Sequence, residues 1–112
     1  MASVEDPASI VVIHEPLGDD RDISGGVTTG SVTIGDTDTM TIGIWEHSVG
    51  VSTDTENDEV FVVLSGRGRI LLQDGSILEL GPGTVGRLLA GEQTRWEIDE
   101  PLRKVWVAAR DR

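Results

Sequence analysis

The chain has 112 residues, of which 9 are Lys or Arg and 20 are Asp or Glu, so its formal net charge is −11. This length allows one domain with a modest core, and the acidity argues against nucleic acid or an anionic membrane as a partner, since both need a basic surface. Cysteine is absent, which excludes disulfides, thiolate nucleophiles and zinc ribbons. No apolar run is long enough to span a bilayer and no secretion signal opens the sequence, so we expect a cytoplasmic protein.

Strand patterns recur along the chain and helix patterns do not. A β-branched run predicts a strand at 9–13, weak alternation predicts one at 28–34, and Met40, Ile42 and Ile44 share one face of a predicted strand at 39–45. Further strands are predicted at 59–64, 69–73, 76–80, 85–89, 94–98 and 103–108. Short strands at this spacing are typical of an all-β sandwich or barrel.

Turn residues separate these predicted strands. Asp74-Gly75 favours a type I′ hairpin between 69–73 and 76–80, and the glycines at 66 and 68 allow a sharp reversal. Gly81-Pro82-Gly83 marks another turn, and Glu100-Pro101 is expected to break the penultimate strand from the last one.

Charge is divided unevenly between the two halves of the chain. Residues 1–59 carry thirteen acids and one base, whereas residues 60–112 carry seven acids and eight bases. No acidic block is long enough to be disordered by self-repulsion. We therefore expect one compact domain in which acidic strands from the first half lie beside basic strands from the second.

Four segments, in order, resemble the cupin superfamily, and more specifically its ureidoglycine aminohydrolase-type members, which include an ethanolamine-utilisation protein. They are 43–46 (GIWE), 58–66 (DEVFVVLSG), 80–83 (LGPG) and 94–105 (TRWEIDEPLRKV). The last segment, a Trp strand followed by Glu-Pro-x-Arg-Lys, is the most specific. The resemblance covers about residues 39–108 and implies a cupin-type double-stranded β-helix, or jelly-roll barrel. We expect an N-terminal arm and edge strand at 1–26 and a single cupin barrel domain at 27–112.

The resemblance also implies where a metal would be bound. Metal-binding cupins use two His and one Glu from the first motif and one His from the second, and these positions fall on Thr53, Thr55, Glu59 and Thr94. Only the glutamate is kept, and neutral hydroxyl groups are poor replacements for imidazole. The sequence therefore predicts no metal and no other cofactor. If the segment that contains Thr53 and Thr55 were shifted by one residue, Asp54 would instead face inward together with Glu59.

The same positions predict a metal-free site in the barrel mouth. We expect Thr53, Thr55, Glu59 and Thr94 to form a polar cluster over an apolar floor of Phe61 and Trp96. A cavity with few convergent polar groups on an aromatic lining is the usual form of a small-molecule site. A carboxyl group placed there is suited to proton transfer or to hydrogen bonding an amide or amine, so Glu59 is the candidate catalytic residue. Alternatively, Glu59 pairs with an arginine such as Arg69 or Arg87 and only closes the barrel.

Other polar residues carry no prediction of a site. His14 and His47 are interpreted as partly solvated histidines, and the acids at 54, 56, 58 and 59 as a solvated loop that lacks the features of an EF-hand. Trp45 and Trp106 are expected in the core or in a dimer contact. The basic residues of the second half are spread over several strands without a phosphate-binding loop.

Three functions stay open at this point. The protein binds a small-molecule ligand without metal, or it is an enzyme acting on a small nitrogenous metabolite through Glu59, or it is a structural dimer with a plugged barrel. A homodimer is expected in each case, because a short barrel leaves edge strands that need covering, and the run 10–13 is a candidate for pairing with the partner.

Overall fold

The computed structural model describes residues 5–110, and this part of the chain folds into nine β-strands without a helix. The strands are β1 (Glu15–Pro16), β2 (Asp22–Ser24), β3 (Thr28–Asp36), β4 (Met40–His47), β5 (Gly50–Thr55), β6 (Glu59–Leu72), β7 (Ile77–Leu80), β8 (Val85–Leu88) and β9 (Gln93–Ala109). Among these residues no helix could cross a membrane.

Two long strands hold the sheet together. β6 and β9 pair antiparallel along almost their whole length, from Glu59 opposite Ala108 to Leu72 opposite Thr94. At the end where β6 begins and β9 ends, β4 pairs with β9 and is followed by β3 and β1, while β8 pairs with β6. At the opposite end, β5 pairs with β9 and is followed by β2, while β7 pairs with β6. The sheet curls at the centre of β6 and β9, so its two ends form a cup. The prediction of an all-β cupin-type fold is confirmed.

The curl lies where the sequence suggested chain breaks. The register between β6 and β9 shifts three times between Val63 and Gly68, and Gly66 has a φ of 95°. A Cβ atom at Gly66 would lie 2.2 Å from the Pro101 carbonyl oxygen, so only glycine permits this approach. The predicted reversal at 66–68 and the predicted break at 100–101 are therefore wrong, because both strands bend through bulges and continue.

Two smaller predictions also need correction. The turn at Asp74-Gly75 is not type I′, which needs positive φ at both central residues, because only Gly75 has one, at 90°. Sequence reasoning also did not predict β1, β2 or β5. The strands predicted from 28, 39, 59, 76, 85, 94 and 103 onward are all confirmed, although several are longer than expected.

The predicted strand at 9–13 is wrong, because residues 10–14 form no ladder with a neighbour. Side-chain contacts attach this segment instead. The Arg103 guanidinium donates hydrogen bonds to the Pro7 carbonyl, at 2.6 Å and 3.0 Å, and to the Ile10 carbonyl, and it also pairs with Glu46 at 2.8 Å. We call residues 5–14 the arm. It lies on the convex face of the sheet.

The buried core lies on the concave face of the sheet. Its members are Phe61, Val63, Ile70, Leu80, Leu88, Trp96, Ile98 and Leu102. Along β9 the even-numbered residues Thr94, Trp96, Ile98, Leu102 and Lys104 are buried, in accordance with a period of two, and Glu100 at the bend is the exposed exception. This alternation places the charged side chain of Lys104, on β9, inside the cup.

Ion pairs connect the two halves of the sequence as expected. Glu46 pairs with Arg103, Glu59 with Lys104 and Asp36 with Arg110, so acids before residue 60 meet bases after it. The uneven distribution of charge is thus a consequence of pairing between distant strands.

Candidate functional site

A cavity of about 490 Å³ opens inside the cup, at the end formed by β4, β6 and β9. We call it the cup cavity. Its aromatic walls are the indole rings of Trp45, Trp96 and Trp106, and its inner charged groups are the buried Glu56 and Lys104 and the partly buried Glu59. The rest of its lining is largely polar, with Arg21, Asp54 and Arg110 at the rim, so the cavity combines an aromatic wall with convergent polar groups, as small-molecule sites do.

The Lys104 ammonium is held by one carboxylate and three aromatic rings. Its Nζ donates a hydrogen bond of 2.5 Å to Glu59 Oε1, and it lies 4.6, 4.7 and 4.9 Å from the ring centroids of Trp45, Phe61 and Trp96. The lysine is 4% exposed. A cation over an aromatic face gains electrostatic energy from the ring, and more when desolvated. The ion pair and the rings together therefore compensate the cost of burying this charge.

A second carboxyl group, that of Glu56, lies buried in the same cavity. Its Oε2 accepts hydrogen bonds from the Thr94 hydroxyl at 2.6 Å and from Trp96 Nε1 at 3.1 Å. Burial raises the pKa of Glu56, the hydrogen bond from Thr94 lowers it, and the negative charge of Asp54 raises it; the net direction is upward. Glu56 thus holds its proton to higher pH than an ordinary glutamate.

His47 supports the wall behind these groups. It is 1% exposed, its Nε2 lies 2.7 Å from the Ser52 hydroxyl and its Nδ1 lies 2.5 Å from the Ser48 carbonyl. Its ring packs against Trp45, with 5.5 Å between centroids. Burial lowers the pKa of His47 against the opposing effect of the Ser48 carbonyl. The interpretation of His47 as partly solvated is therefore wrong: it is a buried residue whose ring packs against Trp45.

Two strand glycines make room for the rings of the site. A Cβ atom at Gly43 would lie 2.3 Å from Cζ2 of Trp106, and one at Gly86 would lie 2.2 Å from Cζ of Phe61. Each ring therefore lies flat against the backbone of the neighbouring strand. The absence of a side chain at these two positions sets the depth of the cup.

The structure does not gather the predicted threonines over Phe61 and Trp96 in the cup cavity. Thr53 is opposite Arg95 and Thr55 opposite Gln93, on the face away from Trp96, whereas Asp54 is opposite Thr94 and shares the inner face. Thr53, Thr55 and Thr94 line a wider groove of about 730 Å³, where β5 and β6 end and β9 begins. Thr55 also borders the cup cavity, and Thr94 faces inward to bond Glu56. The alternative prediction, in which a shift of one residue turns Asp54 inward, matches the register observed between β5 and β9.

The other predicted residues do converge. Glu59 and Trp96 line the cup cavity, and Phe61 lies beneath them, with its ring 6.3 Å from that of Trp96. The partner of Glu59 is Lys104 rather than an arginine, since Arg69 pairs with Glu97 and Asp99 and Arg87 lies on the outer face opposite Val60. The alternative prediction that Glu59 forms an ion pair was correct, but the predicted arginine partner was wrong, because the partner is Lys104.

Sequence reasoning missed Glu56 and Lys104. Glu56 was interpreted as part of a solvated acidic loop, but it is 8% exposed. Lys104 is separated from Trp96 by eight residues, an even number, so strict alternation along one continuous strand would have placed both side chains on the same face. Because a break was expected at 100–101, the alternation was not extended from Trp96 to Lys104. Trp45 and Trp106, expected in the core or a dimer contact, do pack against the core, and both also line the cavity.

The residues of the cup do not fit a metal. Among residues 5–110, no group of three His, Asp or Glu side chains is placed to hold an ion. The Glu59 carboxylate is engaged by the Lys104 ammonium, and the Thr94 hydroxyl donates to Glu56. A divalent cation at Glu59 would meet a like charge at hydrogen-bond distance. We therefore derive no step through a metal.

This fold and site define a small cupin. Residues 34–106 match the model of the EutQ-like cupin domain, and the chain belongs to this family. A search of curated proteins finds none that matches the chain.

Solved structures of several cupin-like proteins superpose on the chain. EutQ of Clostridium difficile matches with a TM-score of 0.67 at 19% identity, over 80% of this chain and 75% of that one. The polyketide cyclase RemF of Streptomyces resistomycificus matches with a TM-score of 0.69 at 20% identity, over 100% and 82%. A Rhizobium leguminosarum protein of unknown function matches with a TM-score of 0.64 at 25% identity, over 75% and 82%. The first two similarities show the fold alone.

Proposed function

We propose that this protein binds a small-molecule metabolite in the cup cavity without a bound metal. The observation that carries the proposal is a cavity of about 490 Å³ that joins three indole rings to buried carboxyl groups. Its volume lies within the range of about 300–1,000 Å³ that is usual for ligand pockets. An empty space of this size also favours a binding protein over a barrel that is plugged by its own side chains.

The wider groove of about 730 Å³ is the weaker candidate. Three of its four charged residues are paired, Arg21 with Asp54 at 3.0 Å and Arg95 with Glu97 at 3.1 Å, while Asp20 forms no ion pair with the described residues. The paired side chains are about one-third to one-half exposed, apart from that of Glu97, which is one-quarter exposed. Exposed pairs of this kind contribute little binding energy, because water competes for them. The cup cavity shares Arg21 and Asp54 with this groove, but it also holds Glu56 and Lys104, which are already desolvated.

Filling the cup cavity tests this proposal. Ala108 lies on its wall, and the substitution Ala108→Phe would occupy the space with an aromatic ring. We expect thermal-shift screening of wild-type protein against a metabolite set of mixed charge to find ligands, each adding about 2.7 kcal/mol of stability at 100 times its Kd. Ala108→Phe should lose these shifts. The matched control Ala90→Phe, in an exposed loop, should keep them. Ligands that bind both variants equally would overturn the proposal.

A second candidate function is catalysis by the same cavity. Glu56 and Glu59 line one space in unlike environments, the first bonded to neutral donors and the second to an ammonium. Two carboxyl groups whose surroundings separate their behaviour are a frequent arrangement for acid–base chemistry. The motif from 94 to 105 further suggests kinship with ureidoglycine aminohydrolase-type cupins, which would imply a nitrogenous substrate. Consumption of a bound ligand by wild-type protein, but not by Ala108→Phe, would favour this function.

We also propose that the protein is a homodimer, with the convex face as its contact. Cross-strand register aligns Val85, Val62 and Val105 in one row of that face, and Val60 and Val107 in the next. Val85 is 67% exposed and Val60 46%. The arm adds Val11 and Ile13, which are 82% and 81% exposed. A mainly aliphatic surface of this kind, with Arg87 beside Val60, can pack against its own copy about a two-fold axis, as a homodimer requires.

A further inference from the structure

Glu56 presents one oxygen that the fold does not satisfy. Its Oε2 accepts both available hydrogen bonds, from Thr94 and Trp96. Its Oε1 receives none from the described residues, although the side chain lines the cup cavity and the residue is 8% exposed. Among the described residues the buried side-chain atom without a partner is Asp22 Oδ1, so Glu56 Oε1 is open to the cavity, where a ligand could donate a hydrogen bond to it.

Glu56 is also the acid of the cavity without an ionic partner among residues 5–110. Lys104 pairs with Glu59, and the two rim bases pair elsewhere, Arg21 with Asp54 and Arg110 with Asp36. An anion entering the cavity would find no free cation, whereas a cation would find a free carboxyl group. The formal charge of −11 on the whole chain acts in the same direction, since it concentrates cations near the surface.

The walls of the cavity have the chemistry of an ammonium site. Trp45 and Trp96 each lie within 5 Å of the Lys104 ammonium, so these rings stabilise one organic cation within this molecule. Indole gives the strongest cation–π attraction of the natural side chains. The third indole, Trp106, extends the same surface along the cavity.

We propose that the cup cavity binds a small organic cation that carries an N–H group, with Glu56 as its carboxylate partner and the indole rings as its walls. This inference rests on the proposed function and adds the class of ligand. In this arrangement Lys104 and Glu59 form a neutral floor, and the N–H group donates to Glu56 Oε1. A neutral or anionic ligand of the same shape would lack the ionic contact.

Binding of such a cation is linked to the protonation of Glu56. Burial, with the charge of Asp54 on β5, raises the pKa of this carboxyl group, while the donors Thr94 and Trp96 and the ammonium of Lys104 on β9 oppose the rise. Arg21 and Glu59, the other charged groups nearby, are held in their own pairs. Because the cation prefers the deprotonated form, its affinity increases as pH rises through the range above 4.5 in which Glu56 loses its proton.

The experiment compares three probes of one shape: cyclohexylammonium, cyclohexanol and cyclohexanecarboxylate. Tryptophan fluorescence and calorimetry on the full chain measure their affinities. We expect the ammonium to bind at least 10-fold more tightly than the other two, and Glu56→Gln to remove most of this preference together with its pH dependence. The control Glu79→Gln makes the same change in net charge at an exposed residue of β7 and should preserve both.

The outcomes separate this inference from the function on which it rests. If the alcohol or the carboxylate binds as tightly as the ammonium, or if Glu56→Gln and Glu79→Gln behave alike, the assignment of an organic cation is wrong while the cup cavity stays a binding site. If neither these probes nor the wider metabolite set bind wild-type protein, both proposals are wrong. Glu56→Gln keeps the size of the side chain, and its folded state is checked by circular dichroism.

Discussion

The Glu59–Lys104 pair is the most consequential contact at the scale of single residues. The side chains are 15% and 5% exposed, and their heavy atoms are 2.5 Å apart. Removing two charges from water costs several kcal/mol per ion. The attraction between the two charges in the interior offsets this cost only if their geometry is good. The three aromatic rings around the Lys104 ammonium stabilise the buried charge further. The pair is therefore sensitive to the loss of either partner.

Lys104→Ala tests this dependence. It leaves the Glu59 carboxylate buried without its cation, and we expect a loss of about 3–5 kcal/mol in the free energy of unfolding, measured with urea. The double variant Glu59→Gln with Lys104→Met removes both charges and should lose clearly less. Arg95→Ala, which breaks the exposed pair with Glu97, provides a control with an expected loss of about 0–1 kcal/mol. Equal losses in Lys104→Ala and Arg95→Ala would show that the buried pair is not important for stability.

The sequence predicted part of this site, and the missed part has a physical reason. Alternation within one strand correctly placed Trp96 with Thr94, and Phe61 near Glu59. It failed for Thr53 and Thr55, because residues 56–58 form a loop whose geometry sets which face the preceding strand presents. The partner of Glu59 could not be read from spacing either, because it lies 45 residues away across the β6–β9 ladder.

At the scale of elements, β6 and β9 decide the shape of the cup. The sequence predicted strands at both ends of each but broke them in the middle, since Gly66 and Pro101 usually interrupt ladders. In β6 the inward residues change from odd numbers at Phe61 and Val63 to even numbers at Ile70 and Leu72. Bulges produce this change, and local patterns do not reveal it, because the bulge forms only when the two distant strands pair.

Close approach between β4 and the ring on β9 gives a prediction at this scale. In Gly43→Ala the new methyl group would overlap Trp106, whose ring carbon lies 2.3 Å from the Cβ position, and also the Val32 carbonyl oxygen at 2.8 Å. We expect a loss of about 1–3 kcal/mol in stability, with a change in tryptophan fluorescence as Trp106 moves into the cup cavity. Gly35→Ala on the neighbouring strand is the control, because its Cβ would meet Ile42 at an ordinary 3.8 Å. An unchanged spectrum in Gly43→Ala would contradict this account.

At the scale of the whole molecule, the arm and the outer face of the sheet form one surface. Arg103 holds the arm through two of its carbonyls and binds Glu46, whose other oxygen contacts His14 at 2.8 Å. Burial alone would raise the pKa of Glu46, but its hydrogen bonds with His14 and Arg103 lower it. Its contribution to stability is therefore present above the ordinary value of 4.5 and is lost as pH falls through the lowered one. The arm is attached by charges rather than by a ladder.

The attachment of the arm leaves aliphatic side chains facing outward next to the valine rows, and this arrangement leads to the prediction of a dimer. Light scattering at micromolar concentration should give twice the chain mass of 12.0 kDa. Val85→Glu places a charge in the centre of the proposed contact, where burial without a partner is costly, and should shift the protein to 12.0 kDa. Ile77→Glu, which changes an exposed aliphatic residue on β7 at the opposite end of the sheet from the valine rows, should stay dimeric. A wild-type monomer, or dissociation by both variants alike, would show that the convex face is not the contact.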